Sequence, residues 1–309
     1  CKDQSLLLYE LLNTINIPSK LTLINLQHPV SSALPSIQQF NHMILYIPKG
    51  IDYEERYIDL TEDVGTDRVI PFNLEGRNAL IIDAQHSKLT TTPIIETTKE
   101  HKVELHHTIG LSNLKHTDFK DSLVLDGKFS AGLRDQLLNL GPQAQQEVFT
   151  KWFSYEDPSI ELSLLEIENL NEFKKPLILK LIYRSKQIFE NRDAIIRGQV
   201  PGFFEKAFMR LPKISQRHHP IRLNDENHFI TSINIHYPKE WSTKIIEPSF
   251  KSSNYTSADI TQESNPGKWS RNIKWSTFAL YADPNEYSAI HQEWLDIIKA
   301  TTPIILWNK

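Results

Sequence analysis

NHMILYIPKGIDYEERYIDL, residues 41–60, decides how the first part of the chain folds. Residues 41–48 alternate in strand fashion, with His42, Ile44 and Tyr46 on one face and Met43, Leu45 and Ile47 on the other. Lys49-Gly50-Ile51-Asp52 is a turn signal, and residues 54–60 read as the return strand. Pairing outward from a hairpin centre near Ile51 sets His42 opposite Leu60, within one residue. Asp59 then lies beside His42 or directly across from it. Opposed side chains in an antiparallel pair are about 5 Å apart at Cβ, so a His42–Asp59 hydrogen bond is expected.

Upstream, residues 20–27 (KLTLINLQ) read as another strand. Before it, Leu6, Leu7, Leu8, Leu11, Leu12 and Ile15 recur at helical spacing and predict a core helix, ended by Asn16 and Pro18. Cys1 stands at the front of that helix. Four accounts of it are open: an acylated lipoprotein residue, an amino-terminal nucleophile, an internal cysteine exposed by truncation, or a buried thiol without chemistry. A lipoprotein ordinarily passes into a polar tether, whereas here a helix starts at once. A helix amino terminus carries partial positive charge and unpaired N–H groups, which favour thiolate, the nucleophilic form. Such a thiolate needs a base, and the base an orienting partner. Cys1, His42 and Asp59 supply those three types.

Composition narrows the classes. The chain has 309 residues, a prior of about two domains. Hydrophobic residues at 39% and charged residues at 23% exclude a disordered or collagen-like chain. A net charge of −4 argues against a nucleic-acid or anionic-membrane binder. No apolar run approaches the roughly 18 residues of a membrane helix, so no membrane-spanning segment is expected. One cysteine permits neither an intrachain disulfide nor a cysteine-rich zinc site. The ten glycines form no phosphate-cradling loop.

Residues 63–99 turn to Thr, Asp, Gly and Pro and read as an ordered connector. From 100 to 309 the pattern is mostly strands: HKVELHHTIG, DSLVLDGKFS, IELSLLEIENL, PLILKLIYRSKQIF, HFITSINIHYP and NIKWSTFALYA. Two short helices are expected at AGLRDQLLNL and PQAQQEVFTKWF, and a longer one after Pro284. His106-His107 and His218-His219 are adjacent pairs. Strand neighbours face opposite ways, so neither pair suits one metal ion. Glu166 and Glu168 share a strand face and read as solvated. Trp241, Trp269, Trp275, Trp294 and Trp307 read as packing residues before ligand contacts. Asn254-Tyr255-Thr256 fits a glycosylation pattern, which carries meaning only in a eukaryotic secretory context.

The sequence also resembles a known family. Cys1-Lys2-Asp3 with the leucine-rich helix and NIPSKLTLI resembles the nucleophile segment of the transglutaminase-like superfamily. FNHMILYI is similar to its histidine segment and RYIDLTED to its aspartate segment, with Leu60 where proline is common. VIPFNLEGRNALIID, LTTTP, RHHPIRL, HFITSINIHYP and DPNEYSAIHQEWLDII resemble later parts of bacterial proteins that carry β-rich domains around such a core. The resemblance implies catalytic Cys1, His42 and Asp59, a thioester intermediate, no cofactor, a protein or peptide substrate and a bacterial periplasmic or envelope location. It implies an α+β chain: residues 1–62 as the carboxyl-terminal half of a papain-like core (helix plus antiparallel sheet), the 63–99 connector, and a mostly antiparallel, sandwich-like β domain with a few helices over 100–309. The chain is then expected to be the carboxyl-terminal part of a larger protein, cut at its cysteine, and a poor catalyst as written. The alternative is a non-enzymatic β-rich binding or scaffolding module with a vestigial core.

Overall fold

The computed structural model describes residues 1–33, 35–62, 70–94, 101–111, 115–186, 189–192, 195–204, 221–223, 227–245, 255–277 and 280–308. The chain divides into two compact units, Cys1–Thr97 and Thr98–Lys309.

In the first unit, helix α1 (Lys2–Thr14) precedes strands β1 (Lys20–Ile24), β2 (His42–Ile47), β3 (Arg56–Ile58), β4 (Asn78–Ile81) and β5 (Lys88–Thr91). The helix stops where Asn16 takes a positive φ of 58°, two residues before Pro18. The strands form one antiparallel sheet in the order β3-β2-β1-β4-β5. β4 and β5 lie inside 63–99, the stretch expected as a connector, and complete this sheet. Ile24, Ile44, Tyr57, Ile70, Leu74 and Ala79 make its core.

Helix α1 lies against β1 and β2, but it is not the buried core helix that its leucines predict. Ser5 is its one buried residue, and Leu6, Leu7 and Leu11 are 43%, 62% and 54% exposed. The reason is angular. At about 100° per residue, the apolar positions spread over more than half of the helix circumference, and one sheet covers a single stripe. That stripe carries Ser5, Leu8, Tyr9 and Leu12, the last three half-buried.

The second unit is built on a seven-stranded sheet in the order β15-β16-β13-β6-β7-β9-β8. Its strands are β6 (Lys102–Gly110), β7 (Thr117–Leu125), β8 (Glu161–Glu168), β9 (Leu177–Ser185), β13 (Asn227–His236), β15 (Thr256–Asn265) and β16 (Lys268–Thr277). All pairs are antiparallel except β6–β13, which runs parallel. A four-stranded sheet joins β10 (Phe189–Arg192), β11 (Ile195–Gln199), β18 (Ile304–Asn308) and β14 (Ser242–Ile245), and β12 (Ile221–Leu223) pairs with β17 (Leu280–Ala282). Helices α2 (Lys128–Leu137), α3 (Pro142–Glu156) and α4 (Tyr287–Thr301) contribute Leu133, Leu137, Phe149, Phe153, Tyr287, Ile290 and Ile297 to the same core as the large sheet. Pro142 opens α3, where its missing N–H costs nothing.

The two-residue alternation is regular. Along β6, Val103, Leu105, His107 and Ile109 are buried, while Glu104, His106 and Thr108 face away from that core. His106 and His107 therefore point to opposite faces. Trp269, Trp275, Trp294 and Trp307 are buried, and Trp241 packs half-buried against the same core. Glu166 is exposed, and Glu168 pairs with Lys180. His218, His219 and Asn254 lie outside the described residues. The chain is α+β in class, with mostly antiparallel sheets and four α-helices among the described residues. None of these helices is long and apolar enough to cross a membrane.

Candidate active site

The site begins with strand parity. β2 and β3 pair with Leu45 opposite Ile58 and Tyr46 opposite Tyr57. Continued past its last pair, this register sets Ile44 opposite Asp59 and His42 opposite Thr61. The expected pairing of His42 with Leu60 is one residue short and would set Asp59 opposite Met43, on the other face; the register found puts His42, Ile44 and Asp59 on one face. His42 meets Asp59 diagonally, and its longer side chain covers the gap. Nε2 of His42 lies 2.7 Å from Oδ2 of Asp59. Both side chains are withdrawn from water, 8% exposed for His42 and 1% for Asp59.

The other carboxylate oxygen is held as well. Oδ1 of Asp59 accepts from the backbone N–H of Thr61 at 3.0 Å and from its hydroxyl at 2.7 Å. Burial works to raise the Asp59 carboxyl, but the donors from His42 and Thr61 outweigh it and hold it below the ordinary carboxylate value. With Nε2 directed to Asp59, Nδ1 is the ring nitrogen left for a thiol.

Tyr46 and Tyr57 continue this face, with ring centroids 5.0 Å apart. The Tyr46 hydroxyl donates to Oε1 of Glu55 at 2.8 Å. Burial, then the charge of Glu55, pushes Tyr57 up to about 12, and burial with donation to Glu55 raises Tyr46 further. Both phenols stay neutral while an imidazole titrates.

Cys1 is the N-cap of α1 and is exposed, so the buried inert thiol does not describe it. Its carbonyl accepts from the N–H of Ser5 at 2.9 Å, closing the first turn. One turn on, Oγ of Ser5 donates to the carbonyl of Met43 at 3.0 Å. Met43 follows His42 in β2, so this bond ties the start of the helix to the histidine strand. The structure brings His42 and Asp59 together. Among the described residues, Cys1 is hydrogen-bonded to neither.

Ser5 and Thr61 were not among the expected site residues. A serine on the stripe of a leucine-rich helix, and a threonine two after the aspartate, were the available signals. A second polar cluster also went unread, in the other unit. His107 Nδ1 lies 3.0 Å from Oδ1 of Asp121, whose Oδ2 accepts from the Tyr183 hydroxyl at 2.7 Å. All three side chains are at most 1% exposed. Their signal was a charged residue at an inward position of two alternating strands. No group of three metal-ligating side chains occurs among the described residues. Comparison of the chain with protein-family models, with curated proteins and with solved structures finds no match in any of the three.

Proposed function

We propose that Cys1, His42 and Asp59 form a thiol acyl-transfer centre of transglutaminase-like type, acting on a carboxamide or peptide bond of a protein or peptide. The observation that carries this reading is the buried His42–Asp59 hydrogen bond, in a unit whose cysteine-led helix is tied to the histidine strand through Ser5 and Met43. Nδ1 of His42 takes the thiol proton, and the thiolate attacks the carbonyl carbon. The tetrahedral intermediate expels an amine, which leaves with the proton returned by His42 and deposits the acyl group as a thioester on Cys1. Water then releases an acid, or a lysine amine forms a crosslink. Asp59 keeps the proton on Nε2 and stabilises the imidazolium. The first N–H groups of α1 have no partner within the helix and are the local donors for the oxyanion.

Trapping the acyl-enzyme tests the proposal. The chain is incubated with an activated acyl ester, and the adduct is followed by intact mass and by release with hydroxylamine. A single adduct on Cys1 is expected, absent in Cys1→Ser and formed about 100-fold more slowly or worse in His42→Ala, the usual loss of a general base. Equal labelling of His42→Ala and the wild type would favour the non-enzymatic module.

A further inference from the structure

We infer that Thr61 is a positioning residue for the His42–Asp59 pair, holding one carboxylate oxygen of Asp59 so that the other stays aimed at the imidazole. The inference rests on the thiol acyl-transfer reading and adds to it a residue that never touches substrate.

The geometry carries it. Oδ1 of Asp59 takes both donors of Thr61, the N–H at 3.0 Å and the hydroxyl at 2.7 Å, while Oδ2 takes Nε2 of His42 at 2.7 Å. A carboxylate rotates about its last bond. Donors on both oxygens remove that freedom, and here they divide it without competing for one oxygen. β3 ends at Ile58, so Asp59 lies beyond the last ladder pair. The ladder alone does not orient it. The N–H bond by itself is the ordinary turn that an aspartate makes with the second residue after it. The hydroxyl is the addition, and it belongs to an exposed side chain bonded to a carboxylate that is 1% exposed. An exposed threonine contributes little to the core, so its loss tests orientation and not packing.

The titration of His42 reads that orientation. The other titratable groups of its face are Tyr46, Tyr57, Glu55 and, from β1, Lys20, which pairs with Asp83. Both phenols titrate well above an imidazole. Asp59 is ionised throughout the range, since it lies below the ordinary carboxylate value.

The experiment follows the His42 ring proton by NMR against pH in wild type, Thr61→Val and Thr61→Ser, beside the pH profile of Cys1 alkylation by iodoacetamide. Thr61→Val keeps the backbone bond and removes the hydroxyl. The His42 midpoint is expected to fall by about half a pH unit or more as the carboxylate loses its aim, and Thr61→Ser should restore it. The alkylation profile should follow in the same order. An unchanged midpoint overturns the inference. A raised midpoint overturns it too, because a carboxylate that loses a donor but keeps its aim becomes the stronger acceptor. Alkylation indifferent to His42→Ala overturns the thiol reading, and the service of Thr61 to a reaction with it. Because the NMR titration is read independently of the sulfur, the two failures are separate.

Discussion

Ser5 Oγ donates to the carbonyl of Met43 at 3.0 Å, and Ser5 is the one residue of α1 that is fully enclosed. A short polar side chain lets the helix meet the strand backbone here, where a leucine would hold them apart. Ser5→Ala removes the bond and leaves the packing. The first unit should lose about 0.5–1.5 kcal/mol, the net value of one such hydrogen bond. The amides of the first turn of α1 should exchange faster with deuterium, and Cys1 should alkylate more slowly at neutral pH. Unchanged exchange would show that the bond does not fix the helix.

Acid should weaken the first unit through Asp59. Its carboxyl is lower in the folded chain than the unfolded value of about 3.9, because donors from His42 and Thr61 outweigh burial. A depressed native value stabilises above the unfolded pKa, and that contribution is lost as pH falls through the native one. Thermal unfolding followed from pH 6 downward should show the loss beginning near about pH 4. Asp59→Asn should start lower, by roughly 1–3 kcal/mol at neutral pH, and should flatten that acid limb.

In the second unit, Tyr183→Phe should cost about 1–3 kcal/mol, because it leaves a buried oxygen of Asp121 without the phenol donor. The ring contacts stay: Tyr183 stacks on Phe119 at 4.7 Å and on Phe153 at 4.8 Å between centroids. Denaturant unfolding, read by a signal from the buried tryptophans, measures it. A change within error would mean that the His107–Asp121–Tyr183 cluster adds nothing to stability.

Gly198 in β11 faces the ring of Phe189, its partner in β10, so closely that an added Cβ would lie 1.7 Å from a ring carbon. Gly198→Ala must displace that ring, at a cost of about 1–3 kcal/mol. In a Phe189→Ala background the same substitution should cost less, and the double-mutant cycle reads the difference. Equal cost in both backgrounds would place the strain elsewhere.

How much of this was legible depends on the physics of each signal. His42 and Asp59 were readable as neighbours because the count from the turn came within one residue of the true register; that residue decides the face, since pairing His42 with Leu60 would turn Asp59 to the other side of the sheet. The turn between β2 and β3, closed by the Gly50 N–H to Tyr53 carbonyl bond, is centred between Ile51 and Asp52, half a residue beyond the expected centre. The burial of α1 was misjudged because periodicity identifies a helix, while the arc that is covered depends on what packs there. β15, TSADITQESN, escaped notice since an edge strand needs no apolar alternation. Its turn into β16 is marked by Pro266 and by Gly267 at a positive φ of 78°. The parallel pairing of β6 with β13 joins segments more than a hundred residues apart, and no local pattern encodes it. Ser5 makes one side-chain hydrogen bond and Thr61 two bonds to a single oxygen, and neither leaves a periodic trace.

The measurement that bears most directly on the central claim is the rate of Cys1 alkylation between pH 4 and 9 in wild type and His42→Ala. A thiolate stabilised by the helix terminus and an imidazolium should alkylate well below pH 8 in the wild type. In His42→Ala the midpoint should return toward the free-cysteine value of about 8.5. Coincident profiles centred near that value in both proteins would contradict a Cys1–His42–Asp59 centre.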